Sequence, residues 1–292
     1  MAERHPNQRP IASLPPELRR TTVPAEVRAW MEREVGAGVV SWRRLPGASS
    51  TAVHGIRFAD GQRLVLRRYV WPGFLEDEPI APQREVDAIR WASAAGLPAP
   101  EVVAVDFTGV PTILMSWLPG HPTARPDLHR LAEVAAALHA VDAAGLGHEY
   151  FPWYATTMNR PPRAATQPAL WERALEARGS MPAFAPSFTH RDFHQGNVLW
   201  SRGRPTGIVD WSNACNGPGG CDVATMRGML IDWADLAAAD EFQSLYESLT
   251  GEPHHPYWEI ANILECEPDD WHAGNIHQAE PRLAKALATL GR

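Results

Sequence analysis

The chain has 292 residues and a formal net charge of -7, with 45% hydrophobic and 21% charged residues. This composition is typical of a globular protein with enough chain for one large domain or two lobes, and it excludes disorder of the whole chain. We expect no nucleic-acid partner, because such proteins present a basic surface to the phosphate backbone. We expect no membrane partner either, since no run of about 18 apolar residues occurs.

The N-terminal segment and the cysteines favour a cytoplasmic protein. Residues 1–20 are rich in proline and predict a flexible leader, and they lack the apolar core of a signal peptide. The three cysteines show neither a disulfide framework nor zinc-binding spacing, which fits a reducing compartment. Of the 27 basic residues only Lys285 is a lysine, so a cation needed earlier in the chain must be an arginine.

The next part of the chain, residues 21–117, predicts a small α+β lobe. Residues 24–36 have helical periodicity, with proline at the start and glycine at the end. Three short strand-like runs follow, and the pair Asp60 and Gly61 between two of them is typical of a tight hairpin turn. A helix over residues 83–95 and two further strand-like runs, EVVAVD and TILMSWL, complete an antiparallel sheet with a helix packed on it.

Residues 118–292 predict a second, mainly helical lobe that begins after the sequence LPG. An amphipathic helix is expected over residues 128–141, and another around 170–177. The segments NVLW and GIVDW predict a second hairpin, and from residue 228 onward the chain is expected to be mostly helical.

The stretch HRDFHQGNVLW, residues 190–200, combines side chains that are typical of phosphoryl transfer. Asp192 and Asn197 lie five residues apart in a predicted loop, and Asp210 ends the strand that would pair with NVLW. Phosphoryl transfer needs a carboxylate to orient the acceptor hydroxyl and oxygen ligands for Mg²⁺. These three residues offer both in a workable order.

The same stretch allows a second interpretation, a transition-metal hydrolase. His190, Asp192 and His194 alternate and would share one face of a strand, with residues 254–255 as further histidine ligands. The intervening pair Gln195 and Gly196 is typical of a loop, however, and this interpretation leaves the downstream asparagine and aspartate without a role.

The segments HRDFHQGNVLW and GIVDW closely resemble the aminoglycoside phosphotransferase family, whose relatives include choline kinase and, more distantly, protein kinases. The segment GPGGCDVA is similar to a later part of that family's pattern, where Asp222 falls. The resemblance implies a two-lobed protein-kinase-like α+β fold with a small antiparallel-sheet N-lobe, a mainly helical C-lobe and ATP in the cleft. It implies that Asp192 is the catalytic base, that Asn197 and Asp210 bind Mg²⁺, and that His190 braces the loop.

The resemblance extends upstream into the predicted N-lobe. LVLRRYV is similar to the family's third strand, whose basic residue contacts the nucleotide phosphates, so Arg67 or alternatively Arg68 would do this work. Glu85 matches the helix residue that pairs with this cation.

Two further segments imply nucleotide contacts. LPGASST resembles the turn that covers the phosphates, through backbone N–H groups and the hydroxyls of Ser49 and Ser50. ILMSWLPG resembles the hinge, where backbone groups of Ser116 and Leu118 would bind the purine and Met115 would flank it.

We therefore expect an ATP-dependent kinase that phosphorylates a hydroxyl of a small molecule. Neither DFG nor APE follows Asp210, which makes a protein substrate less expected. Between Gly228 and Glu280 there are twelve Asp or Glu residues and no Lys or Arg, so an acidic lining would favour a cationic acceptor. Three tryptophans of this segment, at 233, 258 and 271, are candidates for stacking on a sugar or contacting a cation.

Several alternatives stay open at this stage. The acceptor could be an antibiotic or a metabolite of choline, homoserine or amino-sugar type, and neither the oligomeric state nor the choice between ATP and GTP is specified. A catalytically weak nucleotide-binding protein is a second hypothesis, because an arginine at 67 replaces the family's lysine.

Overall fold

The computed structural model describes residues 16–19, 21–48, 50–152 and 158–291. These residues form two compact units. The first consists of the described residues up to Pro122 together with Asn197–Asn213, and the second of the described residues of Thr123–Gly196 and Ala214–Arg292. Strands and helices both occur, as the prediction of an α+β fold requires.

The elements are numbered in chain order. The strands are Val39–Arg44 (β1), Ala52–Phe58 (β2), Arg63–Arg68 (β3), Val102–Asp106 (β4), Thr112–Ser116 (β5), Pro186–Thr189 (β6), Val198–Ser201 (β7), Arg204–Ile208 (β8) and Cys215–Pro218 (β9). The helices are Pro16–Arg19 (α1), Ala25–Val35 (α2), Pro72–Asp77 (α3), Ala81–Ala94 (α4), Leu128–His139 (α5), Pro168–Ala177 (α6), Gly219–Trp233 (α7), Leu236–Thr250 (α8), Tyr257–Leu264 (α9) and Ala273–Thr289 (α10). None of the described helices is long and apolar enough to cross a membrane.

The first unit is built on a five-stranded antiparallel sheet with the order β1-β2-β3-β5-β4. The predicted strands and the hairpin turn at Asp60 and Gly61 are confirmed, and Gly61 has the positive φ of 89° that such turns favour. Helix α2 covers one face, where Trp30 and Met31 pack against Phe58 and Leu66.

Two short helices of this unit were not predicted. Helix α1 lies within the segment expected to be a flexible leader, and its Leu18 is fully buried. Helix α3 has six residues, which is too short for an apolar face to show as a periodic pattern. The other residues of the leader lie outside the described part of the chain.

The hairpin β7–β8 groups with the first unit, whereas its sequence position suggested the second lobe. Ile208 N–H donates to the carbonyl of Pro98 at 2.6 Å, and Thr206 Oγ1 donates to the carbonyl of Pro119 at 2.5 Å. A Cβ at Gly207 would lie 2.5 Å from Leu118 Cδ1, so any other residue would force the Leu118 side chain to shift. These contacts join the hairpin to the segment that follows β5 and, through Pro98, to the segment that precedes β4.

The second unit contains helices α5 to α10 and the two-stranded pair β6–β9. Helices α5 and α6 and the run of helices after residue 228 are confirmed, while α7 already begins at residue 219. Its core joins α6, α7, α9 and α10 through fully or nearly buried side chains that include Trp171, Trp258 and Leu283.

Candidate functional site

The loop that carries Asp192 follows β6 and has an uncommon backbone conformation. Arg191 has φ 67°, in the left-handed region that residues with a Cβ seldom adopt. The N–H groups of His190 and Arg191 donate to Asp222 Oδ2 and Oδ1 at 2.8 and 2.6 Å. Asp222 is fully buried in the first turn of α7. Its carboxylate holds the strained loop in place, because it accepts both of these hydrogen bonds.

Asp222 is itself supported by two other helices. His139 Nε2 lies 3.1 Å from Asp222 Oδ2, and His139 Nδ1 lies 2.8 Å from the hydroxyl of Tyr246. A carboxylate only accepts, so Nε2 carries a proton, and Nδ1 of the neutral ring accepts from Tyr246. Nothing in the sequence marked His139 as more than a lone histidine on a helix.

Arg191 connects the loop to the C-terminal helices. Its guanidinium contacts Glu265 at 2.6 Å, donates to the carbonyl of Phe151 at 2.5 Å, and lies 4.5 Å from the ring centre of Tyr150. Burial alone would lower the pKa of Arg191, but the Glu265 carboxylate outweighs it and the net shift is upward. This ion pair was not predicted, because its members lie 74 residues apart without a motif.

The carboxylate of Asp192 is 39% exposed, in contrast to the buried backbone around it. His194 Nε2 lies 3.6 Å from Asp192 Oδ1, while His194 Nδ1 accepts from Gly196 N–H at 3.0 Å. His190 is fully buried, and its Nδ1 accepts from Asp192 N–H at 3.3 Å. The loop therefore presents the carboxylate to solvent, and His190 braces the backbone.

This geometry does not support the hydrolase interpretation. Both His190 and His194 use a ring nitrogen to accept a backbone N–H. In the described part of the chain, no group of three His, Cys, Asp or Glu residues could hold a metal ion. His254 lies elsewhere, with its Nε2 3.4 Å from Glu259 Oε1.

In the first unit, Arg67 lies between two carboxylates. Its Nη1 is 3.1 Å from Glu85 Oε1 and its Nη2 is 2.5 Å from Asp210 Oδ1, while Tyr69 donates to Glu85 Oε2 at 2.5 Å. Burial alone would lower the pKa of Arg67, but Asp210 and Glu85 outweigh it and raise the pKa. Arg68, the next residue of β3, lies on the opposite face of the sheet, since side chains alternate along a strand.

The hairpin places Asn197 and Asp210 at the same end of their strands. Val209 N–H donates to the carbonyl of Asn197 at 2.9 Å, directly before Asp210. Asp210 has φ 71°, a conformation that aspartate tolerates better than most residues. Trp211 Nε1 donates to the carbonyl of Ile208 at 2.9 Å and keeps the chain close to the strand after this turn.

These residues fit a nucleotide and a magnesium ion. Asp210 and Asn197 offer a carboxylate and an amide oxygen, the donor types that Mg²⁺ prefers. Arg67 Nε and Thr51 Oγ1 are buried polar atoms that have no hydrogen-bond partner among the described residues. Such atoms are suited to phosphate oxygens, and Thr51 ends the LPGASST turn.

The predicted hinge has fewer available backbone groups than expected. Ser116 N–H donates to the carbonyl of Glu101 at 2.8 Å, so this N–H group is already used. Met115 is 7% exposed, and Leu118 packs at Gly207. Ser50 lies in the turn before β2, and Ser49 lies outside the described residues.

Several acidic residues of the C-terminal helices have structural partners. Glu259 pairs with Arg227 and Arg282, and Glu280 accepts hydrogen bonds from Thr166, Gln167 and Trp171. Trp258 is buried in the core and Trp271 packs edge-on against Trp171. The count of acidic residues therefore overstates the acidic lining available to a ligand.

Solved structures of known proteins resemble the chain over most of its length. A thermostable mutant of aminoglycoside phosphotransferase APH(4)-Ia, in ternary complex with ADP and hygromycin B, has a TM-score of 0.61 and 20% identity over 90% of this chain and 98% of that one. Aminoglycoside phosphotransferase APH(3'')-Id from Streptomyces rimosus has a TM-score of 0.59 and 18% identity, over 82% of this chain and 99% of that one. A Thermobifida fusca protein assigned as a fructosamine-3-kinase has a TM-score of 0.59 and 17% identity, over 89% and 98%.

At these identities the structural likeness establishes the fold, which is that of the protein-kinase-like phosphotransferases. A family model described as the phosphotransferase enzyme family matches residues 41–260. The chain belongs to this family, as its motifs suggested. No curated protein matches the chain.

Proposed function

We propose that this protein is an ATP-dependent O-phosphotransferase that phosphorylates a hydroxyl of a small molecule. The observation that carries this proposal is the ion-paired set of buried Arg67 and Glu85 with the partly exposed Asp210, in a chain of the phosphotransferase family. The loop of Asp192, held by Asp222, adds a solvent-exposed carboxylate suited to act as a base.

The residues of the first unit serve the nucleotide. When bound, Mg·ATP supplies the phosphoryl group and the metal charge that stabilises its transfer. Arg67 binds the phosphates, and Glu85 holds the guanidinium in position. Asn197 and Asp210 hold the metal through their oxygens. Ser50, Met115 and the carbonyl of Ser116 contact the nucleotide, and Leu118 contributes a backbone group.

Asp192 serves the acceptor. Its carboxylate orients the acceptor hydroxyl and takes up the hydroxyl proton on Oδ1 or Oδ2. Asp222 and His190 keep this carboxylate at a fixed place by holding the loop backbone. Such positioning favours reaction, because a reacting group that is held in the right geometry need not be ordered during the step.

The class of acceptor is supported by two kinds of observation. The solved relatives include an aminoglycoside phosphotransferase in complex with hygromycin B and a protein assigned as a fructosamine kinase. The acidic C-terminal helices favour a cationic acceptor, although part of their charge is neutralised internally. An antibiotic and an amine-bearing metabolite are thus the two acceptor types to test.

A screen of ATP consumption over aminoglycosides, macrolides, choline, homoserine, amino sugars and fructosamines tests the proposal, with mass detection of the phosphorylated product. We expect at least one cationic acceptor to gain one phosphoryl group and to release ADP in equal amount. Asp192→Asn is the control that should lose this signal. If Mg·ATP binds but no acceptor is phosphorylated, the protein is instead a nucleotide-binding protein without turnover.

A further inference from the structure

Three basic side chains lie side by side on the face of the first-unit sheet that α2 covers. Arg44 of β1 is directly opposite His54 of β2, and Arg68 of β3 is opposite Ala52, two residues from His54 on the same face. Neighbouring strands lie about 4.8 Å apart, so the three side chains span roughly 10 Å at their bases. Long arginine side chains from both flanks can converge above the central histidine.

Four buried polar atoms of this cluster lack a hydrogen bond of ordinary geometry within the described residues. Two of them are the ring nitrogens of His54, which is 2% exposed and has the backbone of Thr21 close enough to interact with its ring. Arg44 Nη1 and Arg68 Nε are also buried and unpaired within the described ranges. Buried groups of this kind are nearly always satisfied in native proteins, which points to a bound species that accepts hydrogen bonds.

The charges of the cluster favour an anion. Two guanidinium groups are present, and the acidic neighbour that acts on Arg68 is Glu26 of α2. Burial lowers the pKa of His54, Arg44 and Arg68 lower it further, and the backbone of Thr21 opposes the shift. The imidazole is therefore neutral near pH 7, and a bound anion would raise its pKa toward the protonated form.

We propose that Arg44, His54 and Arg68 form a binding site for a tetrahedral oxyanion, namely phosphate. Guanidinium groups match phosphate oxygens in geometry and remain charged at all relevant pH values. The site is distinct from the nucleotide phosphates, because Arg67 and Arg68 project from opposite faces of β3. Arg44 precedes and Ala52 follows the LPGASST turn, so bound phosphate would tie together the two strands that the turn connects.

The test is a titration of the full chain with inorganic phosphate, followed by the ring-nitrogen signals of ¹⁵N-labelled histidines. His54→Gln identifies the His54 signals by their loss. At constant ionic strength we expect a saturable shift of these signals toward the protonated form, with and without Mg·AMP-PNP, and competition by sulfate. Arg44→Gln and Arg68→Gln should each raise the phosphate Kd about tenfold or more, the effect of losing a charged hydrogen bond.

The matched control is Arg57→Gln, an exposed arginine on the other face of β2, which should leave the Kd unchanged. Circular dichroism of each variant shows whether it folds, and Arg44→Lys replaces Arg44→Gln if the latter does not. The proposal is overturned if phosphate does not shift the His54 signals or if chloride shifts them equally. It is also overturned if the folded Arg44 and Arg68 variants bind phosphate with the wild-type Kd.

Discussion

The carboxylates of Asp192 and Asp210 differ in their surroundings, and this difference separates their proposed roles. Asp210 is ion-paired to Arg67 at 2.5 Å, while the carboxylate of Asp192 has a histidine at 3.6 Å and is 39% exposed. A carboxylate fixed beside an arginine suits a metal, whereas one without an arginine beside it can exchange a proton with a substrate. Two substitutions separate these roles.

Asp192→Asn should lower kcat about a hundredfold or more, because the amide cannot take up the hydroxyl proton. The Kd for Mg·ATP should stay at the wild-type value, since Asp192 makes no proposed contact with the nucleotide. Steady-state kinetics with an identified acceptor and calorimetry with Mg·AMP-PNP measure the two quantities. The control is Asp77→Asn, which changes an exposed aspartate of α3. Wild-type turnover in the Asp192 variant would show that Asp192 is not the base.

Asp210→Asn should weaken nucleotide binding about tenfold or more in the presence of Mg²⁺, the effect of losing one charged interaction. Without Mg²⁺ the difference from wild type should be smaller, because the variant still has Arg67 for the phosphates. Fluorescence titration with a labelled ATP analogue, at zero and saturating Mg²⁺, gives both constants. If the nucleotide affinity falls equally with and without Mg²⁺, Asp210 acts only by pairing with Arg67 and is excluded from the metal site.

The candidate site residues that the sequence predicted are those whose spacing is informative. Asp192, Asn197 and Asp210 follow one another within a loop and a hairpin, and the resemblance supplied Arg67 and Glu85. The second set of contacts that supports the loop was not predictable. His139 and Tyr246 lie 107 residues apart, so only the packing of α5 against α8 reveals them.

At the scale of elements, Asp222 connects α7 to the loop of Asp192. Asp222→Asn keeps the shape of the side chain, but an NH₂ group replaces one of the two carboxylate oxygens, each of which accepts from a backbone N–H. We expect kcat to fall at least about tenfold, with the Kd for Mg·AMP-PNP unchanged, and the free energy of unfolding to fall by about 1–3 kcal/mol. Kinetics and urea denaturation measure these effects. A variant as active as wild type would show that the loop holds its conformation without Asp222.

Glu259 of α9 joins the helices of the second unit. It accepts from Arg227 of α7 at 2.8 Å and from Arg282 of α10 at 2.9 Å, and its side chain is 10% exposed. Glu259→Gln should lower the free energy of unfolding by about 3 kcal/mol, because Arg282 loses its carboxylate partner and Arg227 keeps only Asp240. Urea denaturation followed by tryptophan fluorescence measures it. The exposed Glu241→Gln on α8 is the matched control and should change little.

The pH dependence of this effect follows from the pKa of Glu259. Burial alone would raise that pKa, but Arg282, His254 and Arg227 outweigh it and lower the pKa in the folded state. The stabilisation is therefore complete above the unfolded-state pKa of about 4.3 and is lost as the pH falls further toward the folded-state pKa. The difference between wild type and Glu259→Gln should shrink below about pH 4. A constant difference down to pH 3 would contradict this account.

Element prediction succeeded where local chemistry is strong and failed where pairing is distant. Helix α2 has a proline start and a glycine end, and the β2–β3 hairpin has Asp60 and Gly61 at its turn. The four-residue strands β6 and β9 are separated in the chain by the loop of Asp192 and the hairpin β7–β8, and no local sequence pattern predicts so short a pairing. The position of β7–β8 in the first unit likewise depends on packing against the segment after β5.

At the scale of the molecule, the proposed roles divide between the two units. Every described residue that we assign to the nucleotide or its metal lies in the first unit, including Arg67, Asn197 and Asp210. Asp192 and the acidic helices α8 and α9 belong to the second. The chain crosses from one unit to the other at the peptide bond between Gly196 and Asn197, four residues after the proposed base.

This division predicts where a nucleotide stabilises the protein. A ligand at a concentration of 100 times its Kd raises the free energy of unfolding of the unit that it binds by about 2.7 kcal/mol. Amide hydrogens that exchange only when this unit unfolds then exchange about a hundredfold more slowly. With Mg·AMP-PNP we therefore expect the slowest amides of β2, β3 and β5 to gain this protection, while those of α9 and α10 gain much less. Hydrogen exchange measured by mass spectrometry resolves the two sets. In the Asp210→Asn variant, most of the protection that depends on Mg²⁺ should be lost. Protection centred on α9 and α10 would instead place the nucleotide on the second unit.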